Sequence, residues 1–197
     1  MFNEAQAEQI IKTRLSTRRF QHSMGVARAA QDLALSHGVD GKEAYLIGVL
    51  HDYAKDLTGA QLLAIANEAN LITHPIEKEA PDLLHAPVGA YLLETEMGIR
   101  DSEILEAVRV HTLGSINMNR LDKIIFLADM IEPSRDMYPD LERLRKLSRL
   151  DLDAAMLLGL ESTIRYCIQR RMLLHPRTVE VRNVFLKDIL GRESEKQ

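Results

Sequence analysis

The chain has 197 residues, of which 46% are hydrophobic and 27% charged, and its 25 basic and 29 acidic side chains give a net charge of −4. This length and composition predict one globular domain spanning residues 1–197, and the negative charge argues against broad binding to nucleic acid. A single cysteine excludes an internal disulfide framework, and the apolar runs are far shorter than the roughly 20 residues of a membrane helix, so we expect a cytoplasmic protein.

Apolar residues recur with helical spacing along most of the chain, and the alternating pattern typical of strands is scarce. The pattern predicts an all-α fold, a single helical bundle. Residues 72–81 form the most loop-like interior stretch, and we expect residues 191–197 to be a frayed tail. The predicted helices span residues 4–15, 18–36, 41–54, 59–69, 86–97, 101–111, 118–131, 138–147, 151–173 and 177–190.

Residues that favour helix ends support this division. Asp40, Thr58 and Asp101 stand where side-chain N-caps of three helices are expected. Gly38 follows the second predicted helix, where a left-handed residue commonly ends the helical hydrogen bonding. Pro133 ends the seventh helix because its ring removes a backbone donor and clashes with the preceding turn.

The residues that can support chemistry centre on the adjacent pair His51 and Asp52, which follows the apolar run YLIGVL. Asp129 has a similar setting, between IIFLA and MI, where an unpaired carboxylate would cost several kcal/mol. A metal ion would satisfy both sites. Neighbouring helical residues point about 100° apart, so an ion beside the pair must take other ligands from elsewhere in the chain. Donors of the right type are present at His22, His85 and His111.

Five longer motifs resemble one known family. They are RRFQHSMGVA, HDYAKDL, LLHAPVGA, VRVHTLG and LADMIEPSRDMYPDLERLR. Together they resemble the HD-domain metal-dependent phosphohydrolases, an all-helical superfamily, and within it the YqeK branch of symmetrical bis(nucleosyl)-tetraphosphatases. The resemblance covers roughly residues 15–175 and lacks the GYP element of the related cyclic-dinucleotide phosphodiesterases. It implies a hydrolase that cleaves diadenosine tetraphosphate to two molecules of ADP.

The resemblance also implies which residues hold metal. The matching ligand positions are His22, His51, Asp52 and Asp129. His85 and His111 match positions that bind a second ion or contact the phosphates. The family is associated with iron, whereas a nitrogen and carboxylate donor set alone suits iron, manganese, zinc, cobalt or nickel. We therefore expect one or two divalent ions, with iron as the metal that the resemblance implies.

Basic side chains near these ligands are candidates for phosphate binding. Arg18 and Arg19 lie four and three residues before His22, which places them on the same face of a helix. Lys55 lies four residues after His51 and shares its face by the same argument. Further candidate substrate contacts are Thr112, Gly114, Arg135 and, by the resemblance, Tyr138.

The predicted catalytic residues are Asp52, Lys55, His85 and His111. Asp52 is the candidate bridge if two ions are present, and it would orient a hydroxide for in-line attack. Lys55 and Arg135 would stabilise the charge that spreads over the phosphate oxygens. His85 or His111, if not a ligand, could protonate the departing phosphate because imidazole titrates near neutral pH.

Two other functions remain open from the sequence. A hydrolase of the same architecture could act on a nucleoside monophosphate or a deoxynucleoside triphosphate, and a metal-stabilised helical module could bind nucleotides as a sensor without turnover. The candidate ligands and Lys55 are all present, which favours an enzyme whose partners are a dinucleoside polyphosphate and its ADP product. The sequence predicts no nucleic-acid or membrane partner and leaves a homodimer open.

Overall fold

The computed structural model describes residues 3–194, and within this range it contains helices and no β-strand. The predicted all-α fold is therefore confirmed. In chain order the helices are α1 (Glu4–Arg14), α2 (Thr17–Ser36), α3 (Gly41–Leu50), α4 (Gly59–Glu68), α5 (Ile76–Glu79), α6 (His85–Thr95), α7 (Ser102–Val110), α8 (Arg120–Ile131), α9 (Leu141–Ser148), α10 (Leu152–Gln169) and α11 (Pro176–Ser194), with a 3-10 turn at Pro81–Leu84.

The predicted helix ends form as expected. The side chains of Asp40, Thr58 and Asp101 accept backbone N–H groups in the first turns of α3, α4 and α7. Gly38 has a φ of +68°, in the left-handed region that a glycine adopts without steric cost, and α2 ends just before it. Helix α8 ends two residues before Pro133.

The end of α3 differs from the prediction in a way that shapes the site. The helix ends at Leu50 rather than residue 54, and residues 51–56 form successive turns. Hydrogen bonds from Tyr53 N to Leu50 O (3.0 Å) and from Lys55 N to Asp52 O (2.9 Å) show the tighter winding. On this turn, the side chains of adjacent residues need not keep the constant angle about the helix axis that separates neighbours in a regular α-helix.

Two other boundaries also differ. Helix α5 occupies part of the predicted loop at residues 72–81. Helix α10 ends at Gln169 rather than residue 173 because Arg171 adopts a left-handed φ of +54°, which a helix cannot continue through.

The tail prediction is partly outside the described residues. Residues 191–194 belong to α11, so the predicted frayed tail is wrong for these four. Residues 195–197 lie outside the part of the chain that the structure describes.

Helices α2 and α3 make the closest helix–helix approach that bears on the site. A Cβ atom added at Gly48 of α3 would lie 2.6 Å from Ala27 Cα of α2, nearer than any side chain permits. Ala30, Ala34 and Ala44 are fully buried in these helices. Small side chains thus let the two backbones pack closely and hold the residues that they carry in register.

Helix α8 packs against both α2 and α3 and forms the core of the molecule. Its residues Ile124, Ile125 and Leu127 are fully buried, as expected for a helix enclosed on most sides. Helices α6 and α7 pack together on one flank, whereas α10 and α11 cover another. No helix within residues 3–194 has the length and apolar character needed to cross a membrane.

Candidate metal centre

The three central helices bring His22, His51, Asp52 and Asp129 to one place. His22 projects from the second turn of α2, and Asp129 lies in the last turn of α8. The His51–Asp52 pair directly follows the end of α3. Because α2 and α8 both pack against α3, side chains that are far apart in the sequence converge.

The ligand atoms of these four residues are closely spaced. Nε2 of His22 lies 3.0 Å from Oδ1 of Asp129 and 3.8 Å from Oδ2 of Asp52. Nε2 of His51 lies 3.5 Å from the same Asp52 oxygen and 3.9 Å from Asp129 Oδ1. Ligands bound at about 2.0 to 2.2 Å from a common ion have neighbouring atoms roughly 3 to 3.5 Å apart, so this spacing is close to that of one shared shell.

A second group of donors lies on the other side of the Asp52 carboxylate. His85 begins α6 and His111 directly follows α7. Their Nε2 atoms lie 3.5 and 3.7 Å from Asp52 Oδ1, while Oδ2 faces His22 and His51. The two oxygens of Asp52 therefore face different pairs of imidazoles, and His51 also lies close enough to His111 to group with it around this carboxylate.

Hydrogen bonding orients the four imidazoles. Each Nδ1 faces an oxygen that can only accept, which favours a proton on Nδ1 and leaves Nε2 toward the centre, and Nδ1 of His85 also lies 3.2 Å from Nζ of Lys55. The pairs are His22 with Glu132 Oε1, His51 with Gly48 O, His85 with Asp82 O and His111 with Val108 O.

The Nε2 atom of His51 provides a test of metal binding. It is buried and has no hydrogen-bond partner among residues 3–194. An unpaired acceptor in the interior is unfavourable, and a metal ion would satisfy it. Imidazole nitrogens and carboxylate oxygens without a thiolate suit a divalent transition metal. The residues that are present fit such an ion.

The protonation states of His51, His85 and Asp52 are those that bind metal. For His22, burial lowers the pKa, but the Asp129 carboxylate outweighs burial and raises the pKa above its ordinary value. Burial lowers the pKa of His51 to about 4, and burial together with the Lys55 charge lowers the pKa of His85 to about 3. Burial opposes ionisation of Asp52, but the imidazoles of His51 and His111 outweigh it and hold the pKa of this carboxyl well below its ordinary value. Neutral imidazole and ionised carboxylate are the ligand forms.

Lys55 reaches the centre from a turn and not from α3. The helical spacing that placed it beside His51 was wrong, since α3 ends at Leu50. Its Nζ nevertheless lies 3.3 Å from Nε2 of His85. Burial lowers the pKa of Lys55, although the Asp52 carboxylate acts in the opposite direction. A cation is thus present at the edge of the second group of donors.

Two predicted phosphate-binding arginines contact carboxylates of the centre. Arg135 donates from Nε to the backbone oxygen of Asp129 at 2.7 Å and from Nη2 to its carboxylate. Arg19 Nη1 lies 3.6 Å from Oδ2 of Asp52. Both guanidinium groups therefore border the ligands, and Arg135 is held by one of them.

The other predicted substrate contacts differ in their distance from the centre. Thr112 Oγ1 lies 3.0 Å from His85 Nε2, so its hydroxyl can donate to that lone pair. Tyr138 donates its hydroxyl to the backbone oxygen of Met130 at 3.0 Å. Arg18 is exposed and makes no hydrogen bond or ion pair within the described part of the chain.

Gly114, a predicted substrate contact, packs against α11 and also lines a cavity together with Thr112. It has a φ of +75°, and a Cβ atom there would lie 3.1 Å from Cγ1 of Val181 in α11. A side chain at this position would strain the backbone and press on α11.

A cavity of ≈ 240 Å³ lies beside the second group of donors. Its walls include residues that flank His85 and His111 in the sequence, and Arg177 from the start of α11 is at its border. The flanking residues are Ala86, Pro87, Val110 and Thr112.

Sequence reasoning missed Glu132. This residue is 1% exposed, and its Oε1 accepts the Nδ1–H of His22 at 3.0 Å. The available signal was an acidic residue next to Pro133 at the apolar end of α8, only three residues after Asp129.

Comparison with known proteins agrees with this geometry. A family model described as HD domain matches residues 19–134. The chain is 39% identical over 184 residues to a Halalkalibacterium halodurans protein named symmetrical bis(5'-nucleosyl)-tetraphosphatase, covering 93% of this chain and 97% of that protein. It is 35% identical to a Bacillus subtilis protein of the same name, with coverage of 89% and 94%.

A crystal structure from Clostridium acetobutylicum shares the fold. It is described as a predicted HD superfamily hydrolase involved in NAD metabolism, with a TM-score of 0.90, 32% identity, and coverage of 95% of this chain and 99% of that one. The chain therefore belongs to the HD-domain family, in the group whose members are named symmetrical bis(5'-nucleosyl)-tetraphosphatase.

Proposed function

We propose that this protein hydrolyses diadenosine tetraphosphate symmetrically to two molecules of ADP, using divalent metal ions and water. The observation that carries the proposal is the convergence of His22, His51, Asp52 and Asp129, with an unpaired buried Nε2 on His51. We infer the substrate from the two relatives named symmetrical bis(5'-nucleosyl)-tetraphosphatase, which align with this chain along nearly their whole length.

The residues divide into two sets around Asp52. His22, His51 and Asp129 with Oδ2 of Asp52 would hold a first ion, and His85 and His111 with Oδ1 a second. When bound, such ions neutralise phosphate charge and make hydroxide available near neutral pH. Iron is our candidate metal because the sequence resembles a family associated with iron.

Charged residues around the centre would act on the phosphates. Lys55 is placed to donate Nζ–H groups to an oxygen of the attacked phosphate, beside His85. Arg19 and Arg135 border the other side, where their positive charge would offset that of the polyphosphate chain. Since Arg135 is paired with Asp129, it would orient that ligand and face the substrate at the same time.

Symmetrical cleavage requires that a nucleoside be held two phosphates from the scissile bond. The cavity lined by Thr112 and Arg177 supports this requirement because the hydroxyl of Thr112 lies 3.0 Å from Nε2 of His85. We propose that one nucleoside binds there and that the second lies toward Arg135 and Tyr138, on the opposite side of Asp52.

Product analysis tests the proposal. Diadenosine tetraphosphate should give ADP as the sole nucleotide product, in a reaction that chelation stops and divalent metal restores. ATP with AMP, or no reaction with any of iron, manganese or cobalt, would contradict it. A panel of nucleoside monophosphates and deoxynucleoside triphosphates tests the other substrate classes, and nucleotide binding without turnover would indicate a sensor.

The Asp52→Ala variant tests the centre itself. It should lose both bound metal and turnover, because it removes oxygen ligands from both sets. Asp122→Asn is a matched control, since Asp122 is a buried aspartate in the first turn of α8, at the opposite end from Asp129. An active, metal-loaded Asp52→Ala protein would refute the role of this residue.

We also propose a cellular compartment, a class of ligand and an oligomeric state for the enzyme. The single cysteine supports a reducing compartment such as the cytoplasm. The net charge of −4 supports a small anionic substrate held by local cations rather than a nucleic acid. Two exposed apolar residues, Ile168 near the end of α10 and Met172 just beyond it, support a homodimer, which light scattering would detect.

A further inference from the structure

One of the four imidazoles in the centre is oriented differently from the others. His51, His85 and His111 each donate Nδ1–H to the backbone oxygen of the residue three positions earlier. His22 instead donates to the carboxylate of Glu132, which is 110 positions away in the sequence. The orientation of three rings is therefore local to their own turns, whereas that of His22 depends on a side chain from another helix.

Glu132 is itself held in a fixed position. It caps the C-terminus of α8 and is 1% exposed. Its Oε2 accepts the backbone N–H of Ser134 at 2.6 Å, and its Oε1 accepts the Ser134 hydroxyl at 2.7 Å. The carboxylate is thus tied to the turn that follows α8 and is directed toward α2.

Gly25 makes room for this carboxylate. It lies one turn after His22 in α2, and a Cβ atom there would be 2.6 Å from Oε2 of Glu132. The backbone of Gly25 is helical and has no positive φ, so its conformation does not require a glycine. Clearance for the carboxylate of Glu132 is therefore the physical reason for a glycine at this position.

We propose that Glu132 is a positioning residue for the metal centre, which holds the Nε2 lone pair of His22 on the ion through a buried Nδ1–H hydrogen bond. It joins His22 of α2 to the end of α8 that carries Asp129, whose Oδ1 lies 3.0 Å from Nε2 of His22. A negative charge behind the ring also makes Nε2 a stronger ligand. The inference rests on the proposed metal set and not on the identity of the substrate.

A purely structural role would make Glu132 a buried link between two helices and nothing more. Glu77 offers a matched control for that case. It is 4% exposed, its carboxylate accepts Thr73 N at 2.7 Å and Thr73 Oγ1 at 2.9 Å, and its Oε1 lies 3.2 Å from Nε2 of His175. Like Glu132, Glu77 is buried, accepts two hydrogen bonds from one nearby residue and contacts a histidine. That histidine, His175, is not among the proposed metal ligands.

The experiment measures Co²⁺ affinity of the full-length, metal-free protein by competition with a chelator of known affinity, following the visible absorption of the bound ion. Glu132→Gln keeps an acceptor but removes the charge, and we expect affinity about 10- to 100-fold weaker than wild type, with a larger loss for Glu132→Ala. Glu77→Gln should bind Co²⁺ within about twofold of wild type. Thermal unfolding of the metal-free proteins reports the structural cost of each change separately.

Gly25→Ala is a second route to the same result. The new methyl group would push the Glu132 carboxylate away from His22 and from the backbone N–H of Ser134, while alanine is a better helix former than glycine. We expect Co²⁺ affinity to fall about 10-fold, and thermal unfolding of the metal-free protein measures the cost of the displaced carboxylate separately.

Three outcomes would overturn the proposal. They are Co²⁺ affinity in Glu132→Gln within about twofold of wild type, an equal loss in Glu77→Gln, or a loss that only follows the instability of the metal-free protein. A wild-type protein that binds no Co²⁺ would overturn the metal centre as well. Loss of affinity with normal ADP formation by the metal-saturated variant would leave the proposed reaction intact.

Discussion

The Nε2 atoms of His85 and His111 lie 3.1 Å apart. Oδ1 of Asp52 lies 3.5 and 3.7 Å from the same two nitrogens. These three atoms are the donors that a second divalent ion would take, in place of the Lys55 and Thr112 groups that lie 3.3 and 3.0 Å from His85 Nε2.

We expect His111→Ala to lower the metal content of the protein from about two ions per chain to about one, since it removes a ligand of the second set only. Elemental analysis of protein purified without oxygen measures the content. His37→Ala is the control. His37 lies at the end of α2, away from the ligands, and its Nε2 contacts the backbone oxygen of Ser148. An unchanged metal content in His111→Ala would place this residue outside the ligand set.

Lys55→Met should lower kcat about 100-fold while the metal content stays the same. The ammonium group beside His85 is a preorganised donor for phosphate charge and is not a ligand. Steady-state kinetics with diadenosine tetraphosphate, together with elemental analysis, separates the two effects. Lys12→Met, at an exposed position of α1, should keep full activity. A loss of metal in Lys55→Met would mean that the residue supports the ligands instead.

Gly48→Ala should destabilise the fold by about 3 kcal/mol, at the upper end of overpacking costs, because the new methyl group meets the backbone of Ala27. It should also weaken metal binding, since Gly48 O accepts the Nδ1–H of His51 on the same helix. Urea unfolding of the metal-free protein measures the first effect. Gly191→Ala, in the exposed end of α11 with no atom within 4 Å, should leave stability unchanged or raise it by up to about 1 kcal/mol.

Asp122 should make stability depend on pH. It is 2% exposed, and burial raises the pKa of this carboxyl to about 6. A carboxyl whose pKa is higher in the folded protein than in the unfolded chain binds more protons when folded, so its ionisation destabilises the fold as pH rises from about 4 to 7.

The Asp122→Asn variant isolates this effect because asparagine does not ionise. Relative to wild type, its free energy of unfolding should increase by roughly 2 to 3 kcal/mol between pH 4 and pH 7.5. Urea unfolding of both proteins across this range gives the difference, in which contributions from all other groups cancel. A difference that stays constant with pH would show that Asp122 ionises normally.

The helices could be predicted from the sequence because apolar spacing and capping residues act locally. Asp40 and Thr58 form side-chain caps wherever the rest of the chain lies, and the structure confirms both. The end of α3 could not be predicted in this way. Its apolar pattern continues past Leu50, whereas the backbone of residues 51–56 forms successive turns.

The convergence of His51, Asp52 and Asp129 could be expected because buried carboxylates in apolar segments need a cation. Glu132 could not, since its role depends on a glycine in α2 that leaves it room and on a turn after α8 that fixes it. For the same reason the pairing of Arg135 with Asp129 was not visible in the sequence. Such relationships exist only once the helices have packed.

Three helices end at the centre: His51 follows α3, His111 follows α7, and Asp129 lies in the last turn of α8. The C-terminus of a helix carries about half a negative charge from its macrodipole, so these three ends favour a cation, while the N-terminus of α6 at His85 contributes the opposite sign. Helix direction therefore adds to the charges of Asp52 and Asp129 in making the space between α2, α3 and α8 attractive to a positive ion.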